Sequence, residues 1–132
     1  RLETVVDLGS SSVAAAKGLV IYGDKDRSIG LSVKGNTVEF WRMDGGKRQQ
    51  LATGTVPLEN GTLHLRLELS EGLRCRAYIG QENQWSEITG SDAALAVVDG
   101  LSPWDRSPRP GLLFHGKESE KAVFSDVTLT SY

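Results

Sequence analysis

Arginine, glutamate, glutamine and tryptophan recur at alternate positions of several short runs in this sequence. An aromatic face can cover the C–H face of a sugar ring, and planar arginine, carboxylate and amide groups can hold two neighbouring hydroxyls. Side chains at alternate positions of a strand share one face. The pattern therefore predicts a carbohydrate site, with candidate ligand-binding residues Glu39, Trp41, Gln50, His64, Arg66, Glu68, Arg74, Arg76 and Tyr78.

A second interpretation of these residues is an ordinary solvated outer face, with Glu68 screening Arg74 and Arg76. The nine residues form one surface only if both of their hairpins share a sheet. A further candidate ligand-binding set, Trp104, Asp105 and Arg106, lies in the segment LSPWDRSPRP, whose three prolines predict a stiff loop and exclude a central strand. Trp104 is compatible with either a core plug or the edge of a ligand site.

A catalytic centre is not expected. A retaining glycosidase needs two carboxylates about 5 Å apart, which a strand reading Glu-x-Asp-x-x-Glu would supply, and no such run occurs. His64 and His115 are not accompanied by a Gly-x-Ser-x-Gly elbow or another recognisable nucleophile. Cys75, the single cysteine, lies on the apolar side of its run and is interpreted as a small core residue. The sequence therefore favours a domain that is not an enzyme and requires no cofactor.

Metal binding has weaker signals. Asp24-x-Asp26-x-Ser28 resembles the start of a calcium loop, but the later glycine and bidentate glutamate are missing. Lys25 and Arg27 favour a solvated polar loop instead. Asp126 is a third candidate oxygen ligand, although it could equally cap a strand end.

The hairpin expected to position much of the carbohydrate site runs from Leu63 to Ile79. Its two arms alternate apolar and polar residues, which predicts half-buried strands. With Ser70–Gly72 as the loop, Leu67 lies opposite Cys75 and the leucines face the cysteine side. This register also sets Arg66 against Arg76, a repulsive pair, so we expect Glu68, Glu39 or a ligand oxygen between the guanidinium groups.

A second set of hairpins is predicted from two glycine turns. Gly35-Asn36 sets Val33 by Val38, Leu31 by Phe40 and Gly30 by Trp41, and Gly45-Gly46 sets Leu51 by Phe40 and Gln50 by Trp41. Trp41 then lies on the non-core face beside a glycine. We expect no neighbour to cover its flank and half of its ring surface to be accessible.

Length and composition bound the fold and the partners. The 132 residues are expected to form one domain, 1–132, and hydrophobic and charged contents of 39% and 24% are ordinary for a globular chain. The net charge is −2 with dispersed basic residues, which argues against nucleic acid, and no apolar run approaches the length that crosses a membrane. Short alternating runs with frequent turn signals and 15 glycines predict an all-β, two-sheet antiparallel β-sandwich.

The order of motifs carries a family resemblance. GLVIYGDKDRSIGLSV, LHLRLEL, RCRAYIG, Trp85 with Ile88, WDRSPRPGL and AVFSDVTL follow one another between about Leu2 and Thr130. This order resembles the concanavalin A-like β-sandwich at the C-terminus of bacterial β-xylosidase and arabinofuranosidase type enzymes of glycoside hydrolase family 43, and related lectin-like accessory modules.

The resemblance implies a jelly-roll course in two antiparallel sheets. It also implies a non-catalytic module that packs on the catalytic domain of its parent chain or binds glycan, in a secreted or periplasmic protein. Family members often carry a structural calcium ion, and Asp126 matches the acidic position near that site. Some complete a neighbouring active site with an aromatic loop, for which this sequence shows no counterpart. Because the chain begins at Arg1 without a methionine, it is interpreted as a module of a larger protein.

Three functions follow from these observations. The first is a carbohydrate-binding accessory module that recognises an oligo- or polysaccharide. The second is a structural module that docks on a catalytic domain and binds no sugar, and the third is a jelly-roll hydrolase. The sequence does not name the sugar, since the distances between aromatic and arginine side chains decide it.

Overall fold

The computed structural model describes residues 1–24, 27–56, 61–70, 74–81, 84–88 and 109–130, with the backbone alone at 23, 24, 27, 70, 74 and 109. Within these ranges no helix is long and apolar enough to cross a membrane. The described residues form ten strands: β1 (Leu2–Asp7), β2 (Ala16–Asp24), β3 (Arg27–Lys34), β4 (Thr37–Asp44), β5 (Lys47–Thr55), β6 (Thr62–Ser70), β7 (Arg74–Gln81), β8 (Gln84–Ile88), β9 (Arg109–His115) and β10 (Phe124–Leu129).

The strands make two antiparallel five-stranded sheets. The first sheet has the spatial order β10, β1, β6, β7, β8, and the second has the order β5, β4, β3, β2, β9. Strands that follow one another in sequence pair with one another from β2 through β5 and from β6 through β8. The last two strands return to pair with β2 and β1, at the edges of the two sheets. The predicted all-β antiparallel sandwich is confirmed.

The core lies between the two sheets and follows from the alternation of apolar residues. Leu65 and Leu67 of the first sheet face Leu19, Leu31 and Phe40 of the second, and all five are at most 1% exposed. Each such side chain contributes roughly 1.5–3 kcal/mol by leaving water. Cys75 is also fully buried, as predicted for a core residue, and burial raises the pKa of its thiol to about 12.

One end of the core is closed by the loop between β1 and β2. Lys17 is 1% exposed, and its Nζ donates a hydrogen bond to the carbonyl oxygen of Ser12 at 2.6 Å. Burial lowers the pKa of this lysine. The hydroxyls of Ser11 and Ser12 accept hydrogen bonds from the backbone amides of Val123 and Lys121, both at 2.9 Å. The loop is thereby fixed to the segment that precedes β10.

The predicted register of β3 and β4 is confirmed, with Val33 paired to Val38 and Gly30 to Trp41. Gln50 pairs with Trp41 as predicted, but the prediction that Leu51 pairs with Phe40 is wrong. A β-bulge at Phe40 and Trp41 inserts one residue into β5, so that Ala52 lies opposite Phe40 and faces the core. The prediction assumed a regular ladder.

The register of β6 and β7 differs from the prediction by two residues. Leu67 pairs with Ala77 and not with Cys75, and Arg66 pairs with Tyr78 and not with Arg76. Both registers keep the leucines in the core, because alternation defines the face of each residue and not the offset between strands. The observed register sets Glu68 against Arg76 and so removes the expected repulsion between two arginines.

Candidate functional site

The two predicted polar surfaces do not form one site. Glu39, Trp41 and Gln50 lie on β4 and β5 of the second sheet, whereas the predicted residues from His64 to Tyr78 lie on β6 and β7 of the first. The two sheets pack with their apolar faces together, so their polar faces point in opposite directions. The condition for a single surface, that both hairpins share a sheet, is therefore not met, and the residues form two separate faces.

On the outer face of the first sheet, Arg66 is already held by partners within the protein. Its guanidinium carbon lies 4.0 Å from the ring centroid of Trp85 and 5.8 Å from that of Tyr78. Its Nη2 lies 3.2 Å from Glu3 Oε2, and its side chain is 15% exposed. Cation–π contacts and a charge-assisted hydrogen bond stabilise this arrangement. Arg66 therefore offers little free surface to a sugar.

The other charged residues of this face also pair with one another. Glu68 contacts Arg66 at 3.7 Å and Arg1 at 3.3 Å, while Arg76 lies 3.9 Å from Glu87. Of the three groups expected between Arg66 and Arg76, Glu68 contacts Arg66, whereas Arg76 contacts Glu87 on the neighbouring strand β8. His64 meets Trp85 edge to face at 5.9 Å. Burial raises the pKa of the Tyr78 hydroxyl. The side chain of Arg74 lies outside the part of the chain that the structure describes.

On the outer face of the second sheet lies a groove of about 940 Å³. Its floor is made of small residues of β3, where Ser28, Gly30 and Ser32 occupy alternate positions. Ser28 and Ser32 line the groove, whereas the indole of Trp41 occupies the space over Gly30 between them. The lining residues are Val13, Ala14, Ala16, Ser28, Ser32, Lys34, Gly35, Thr37, Glu39, Trp41, Met43, Arg48, Leu113 and His115.

Trp41 lies flat in this groove and is only 5% exposed, so the prediction of a half-exposed ring is wrong. Because Gly30 has no side chain, the indole packs on its backbone, and a Cβ at this position would be 2.2 Å from Trp41 Cζ2. The Arg48 guanidinium covers the ring at 4.9 Å from the centroid. Arg48 also donates hydrogen bonds through Nε, at 3.0 Å, and Nη2 to Glu39 Oε1.

The indole Nε1 of Trp41 is buried and has no hydrogen-bond partner. A buried donor without an acceptor is uncommon in folded proteins. Trp41 is a lining residue of the groove, and Arg48 is the side chain over its ring. Arg48 therefore covers the face of the indole that is turned away from Gly30.

Among the remaining predicted residues, Asp126 is the one whose side chain the structure describes. Asp126 is exposed on β10 and has a positive φ of 51°, at the irregularity where β10 pairs with β1. Among the described residues no group of three or more His, Cys, Asp or Glu side chains could hold a metal ion. Asp26, Trp104, Asp105 and Arg106, together with the side chain of Asp24, lie outside the described part of the chain.

The sequence did not identify several residues that line the groove, among them Lys34, Arg48 and His115. His115 and Lys34 come from strands far apart in sequence, which the β2–β9 pairing brings together. One signal was available. Ser28, Gly30 and Ser32 are small residues at alternate positions of one strand, and this pattern is typical of a shallow floor on an outer face.

The fold matches part of several solved structures. The GH43 BlXynB protein of Bacillus licheniformis matches 93% of this chain, with a TM-score of 0.69 and 18% sequence identity. A xylan β-1,4-xylosidase of Bacillus halodurans matches 92% of this chain, with a TM-score of 0.71 and 19% sequence identity. A bifunctional GH43-CE protein of Bacteroides eggerthii matches 92% of this chain, with a TM-score of 0.67 and 13% sequence identity. This chain has the fold of a domain found in GH43 proteins.

The matched region is a minor part of those proteins. The chain spans 25% of the two Bacillus proteins and 17% of the Bacteroides protein. No protein-family model matches the sequence, and neither does any curated protein. The predicted structural relationship to GH43 proteins is confirmed at the level of the fold.

Proposed function

We propose that this chain is a non-catalytic accessory module of a glycoside hydrolase and binds glycan in the groove of the second sheet. The observation that carries the proposal is the groove itself, a concave surface lined by small residues, with a tryptophan packed on the strand backbone and an ion pair beside it. Pockets of this size with few polar groups are the usual form of small-ligand sites. The fold, shared with a quarter of each GH43 protein from Bacillus, supports the role of an appended domain.

The charged groups of the groove support binding over hydrolysis. A glycosidase uses two carboxyl groups that flank the scissile bond. Among the described residues that line the groove, Glu39 is the single carboxylate, and Arg48 already binds it. Such a pair can exchange its internal contacts for the hydroxyls of a sugar, whereas it leaves no second carboxyl group to act as acid or nucleophile.

The test compares two ion pairs on opposite faces. Glu39→Ala and Arg48→Ala remove the pair in the groove, and Glu87→Ala and Arg76→Ala remove the pair on the first sheet. The arginines are matched, with side chains 50% and 53% exposed. Because one similar protein is a xylan β-1,4-xylosidase, xylo-oligosaccharides are the first ligands to titrate by calorimetry.

We expect the unaltered chain to bind, the groove variants to lose roughly tenfold or more in affinity, and the first-sheet variants to bind unchanged. Unaltered binding in the groove variants with loss in the first-sheet variants would move the site to the other face. The absence of binding across a broad glycan array would refute the proposal.

A second candidate function has its own observation, an exposed apolar edge. Leu112 and Phe114 of β9 are each 43% exposed, and Val127 and Leu129 of β10 are 52% and 66% exposed. The β9 and β10 strands lie at corresponding edges of the two sheets. Adjacent exposed apolar side chains commonly mark protein contacts. We propose the catalytic domain of the parent chain as the partner, since this chain spans a quarter of the similar Bacillus proteins.

This docking is tested with the remainder of the parent chain produced separately. Sedimentation velocity should show a complex with the unaltered module, and the double variant Leu112→Ser, Leu129→Ser should weaken it. Both side chains are exposed, so we expect the variant to fold. Equal association of the variant, or no association of the unaltered module, would contradict docking through this edge.

A further inference from the structure

One end of the groove carries two basic side chains on the two strands that flank β2. His115 of β9 pairs with Ala16 of β2. The β2–β3 register, in which Lys17 pairs with Val33, brings Lys34 to the other side of Ala16. Strands are about 4.8 Å apart, so the Cα atoms of His115 and Lys34 are about 10 Å apart, on either side of a methyl group. Both basic side chains are exposed and line the groove.

The loop before β2 forms a wall beside this basic pair. The carbonyl oxygen of Val13 accepts a hydrogen bond of 2.8 Å from the backbone amide of Gly35, which follows Lys34 in the β3–β4 turn. Val13 and Ala14 both line the groove. The wall is thus fixed to the same turn that presents the lysine, and the space between Lys34 and His115 is bounded by small apolar side chains.

The charge of the groove is opposite to that of the chain. The whole chain carries a net charge of −2 with its histidines counted as neutral, yet the described groove lining contains Lys34 and Arg48 against one carboxylate, Glu39. His115 adds ring nitrogens that can hydrogen-bond to an anion. Arg48 and Glu39 neutralise each other. Lys34 forms no ion pair with the described residues, so its positive charge remains available at the end of the groove. An anionic group is the electrostatic complement of this position.

We infer that the groove takes an acidic oligosaccharide, whose carboxylate lies between Lys34 and His115 while its backbone follows the small-residue floor toward Trp41. This inference rests on the proposed function and specifies its ligand. From Lys34 to the Trp41 indole, which occupies the space over Gly30, the floor runs along about 13 Å of β3. A small inorganic anion would occupy one end of that length, whereas a uronate-bearing chain uses the basic end and the floor together.

The experiment compares two ligands that differ by one charge. A xylo-oligosaccharide bearing one glucuronate and the same backbone without it are titrated into the module by calorimetry. We expect the acidic ligand to bind about tenfold more tightly at low salt, through charge-assisted hydrogen bonds. This advantage should decrease between about 20 mM and about 500 mM NaCl, because salt screens exposed charges.

Two variants and a matched control locate the charge. Lys34→Gln and His115→Gln should each reduce the advantage of the acidic ligand and leave the affinity for the neutral ligand unchanged. Lys47→Gln removes an exposed lysine of the same sheet that does not line the groove, and it should change neither affinity. All three positions are exposed, so we expect the variants to fold.

The outcomes separate the inference from the proposed function. Equal binding of both ligands by the unaltered module would overturn the acidic specificity and leave glycan binding intact. An equal effect of Lys47→Gln and Lys34→Gln would show that the acidic ligand is attracted by the overall charge of the sheet and not by the end of the groove. This result would also overturn the inference. Failure of both ligands to bind would overturn the inference, and the broad glycan array then decides whether the proposed function fails with it.

Discussion

A methyl group added at Gly30 should disturb the floor of the groove. The Cβ of Gly30→Ala would lie 2.2 Å from Trp41 Cζ2 and 2.5 Å from Cε2, which is about 1.2 Å closer than ordinary van der Waals contact permits. The obstructing atoms belong to a rigid indole that is 5% exposed, so the ring must tilt or the two strands must separate. Extra volume at such a position typically costs about 1–3 kcal/mol.

Gly111→Ala is the matched control for this substitution. Gly111 lies in the same cross-sheet row, paired with Val20, which itself pairs with Gly30. Its added Cβ would meet Val20 Cγ1 at 3.8 Å, an ordinary contact. Since alanine also restricts the unfolded chain, we expect the control to be neutral or to stabilise by about 0.4–1 kcal/mol.

The assay is urea denaturation of both variants and the parent, followed by tryptophan fluorescence and by far-UV circular dichroism. We expect Gly30→Ala to lose about 1–3 kcal/mol in the free energy of unfolding, with an altered native emission as the indole moves. Equal stabilities of Gly30→Ala and Gly111→Ala would refute the packing of Trp41 on Gly30. The account of the groove floor would then be wrong as well.

Three further predictions concern buried polar groups. Arg66→Ala should cost about 1–3 kcal/mol because it removes contacts made at 15% exposure, whereas Arg76→Ala, at 53%, should cost under about 0.5 kcal/mol in the same urea titration. Lys17→Met should leave stability unchanged or raise it by about 1–2 kcal/mol, since the apolar stem is kept and the desolvated charge is removed; a loss beyond about 2 kcal/mol would show that the bond to Ser12 matters more. The Cys75 thiol should not react with an aromatic disulfide at pH 8 until the chain unfolds. Its pKa is raised from 9.0 to about 12, so above pH 9 the folded state keeps a proton that the unfolded state releases. The free energy of unfolding should therefore fall by up to about 1.4 kcal/mol per pH unit above pH 9. The fall should be less steep in Cys75→Ala.

The sequence was sufficient for the fold because alternation determines which face of each strand is buried. Val33 and Val38, or Gly30 and Trp41, were paired correctly since a two-residue glycine turn leaves one register that keeps both apolar faces in the core. The β6–β7 offset was not determined in this way. The register that pairs Arg66 with Arg76 and the register that pairs it with Tyr78 both keep every leucine in the core. The choice between the two registers therefore depends on polar contacts across the strands.

The candidate site was less predictable, because it depends on which hairpins share a sheet. Placement of β4 and β6 in different sheets separates Trp41 from Arg66, and no local pattern of either hairpin encodes that separation. The orientation of Trp41 also required three dimensions. A neighbouring glycine can leave a tryptophan uncovered, or it can provide space for the indole to pack on the strand backbone. Trp41 packs on Gly30, and Arg48 lies over the other face of its ring.

The most direct test of glycan binding in the groove is a titration with xylo-oligosaccharides followed by 15N–1H NMR. Each tryptophan gives its own indole N–H signal, and Trp41 and Trp85 lie on opposite outer faces of the sandwich. We predict saturable shifts of the Trp41 indole and of the Lys34 and Thr37 amides, with the Trp85 indole unchanged. Shifts confined to Trp85 and its neighbours, or no shifts with any glycan, would contradict the account.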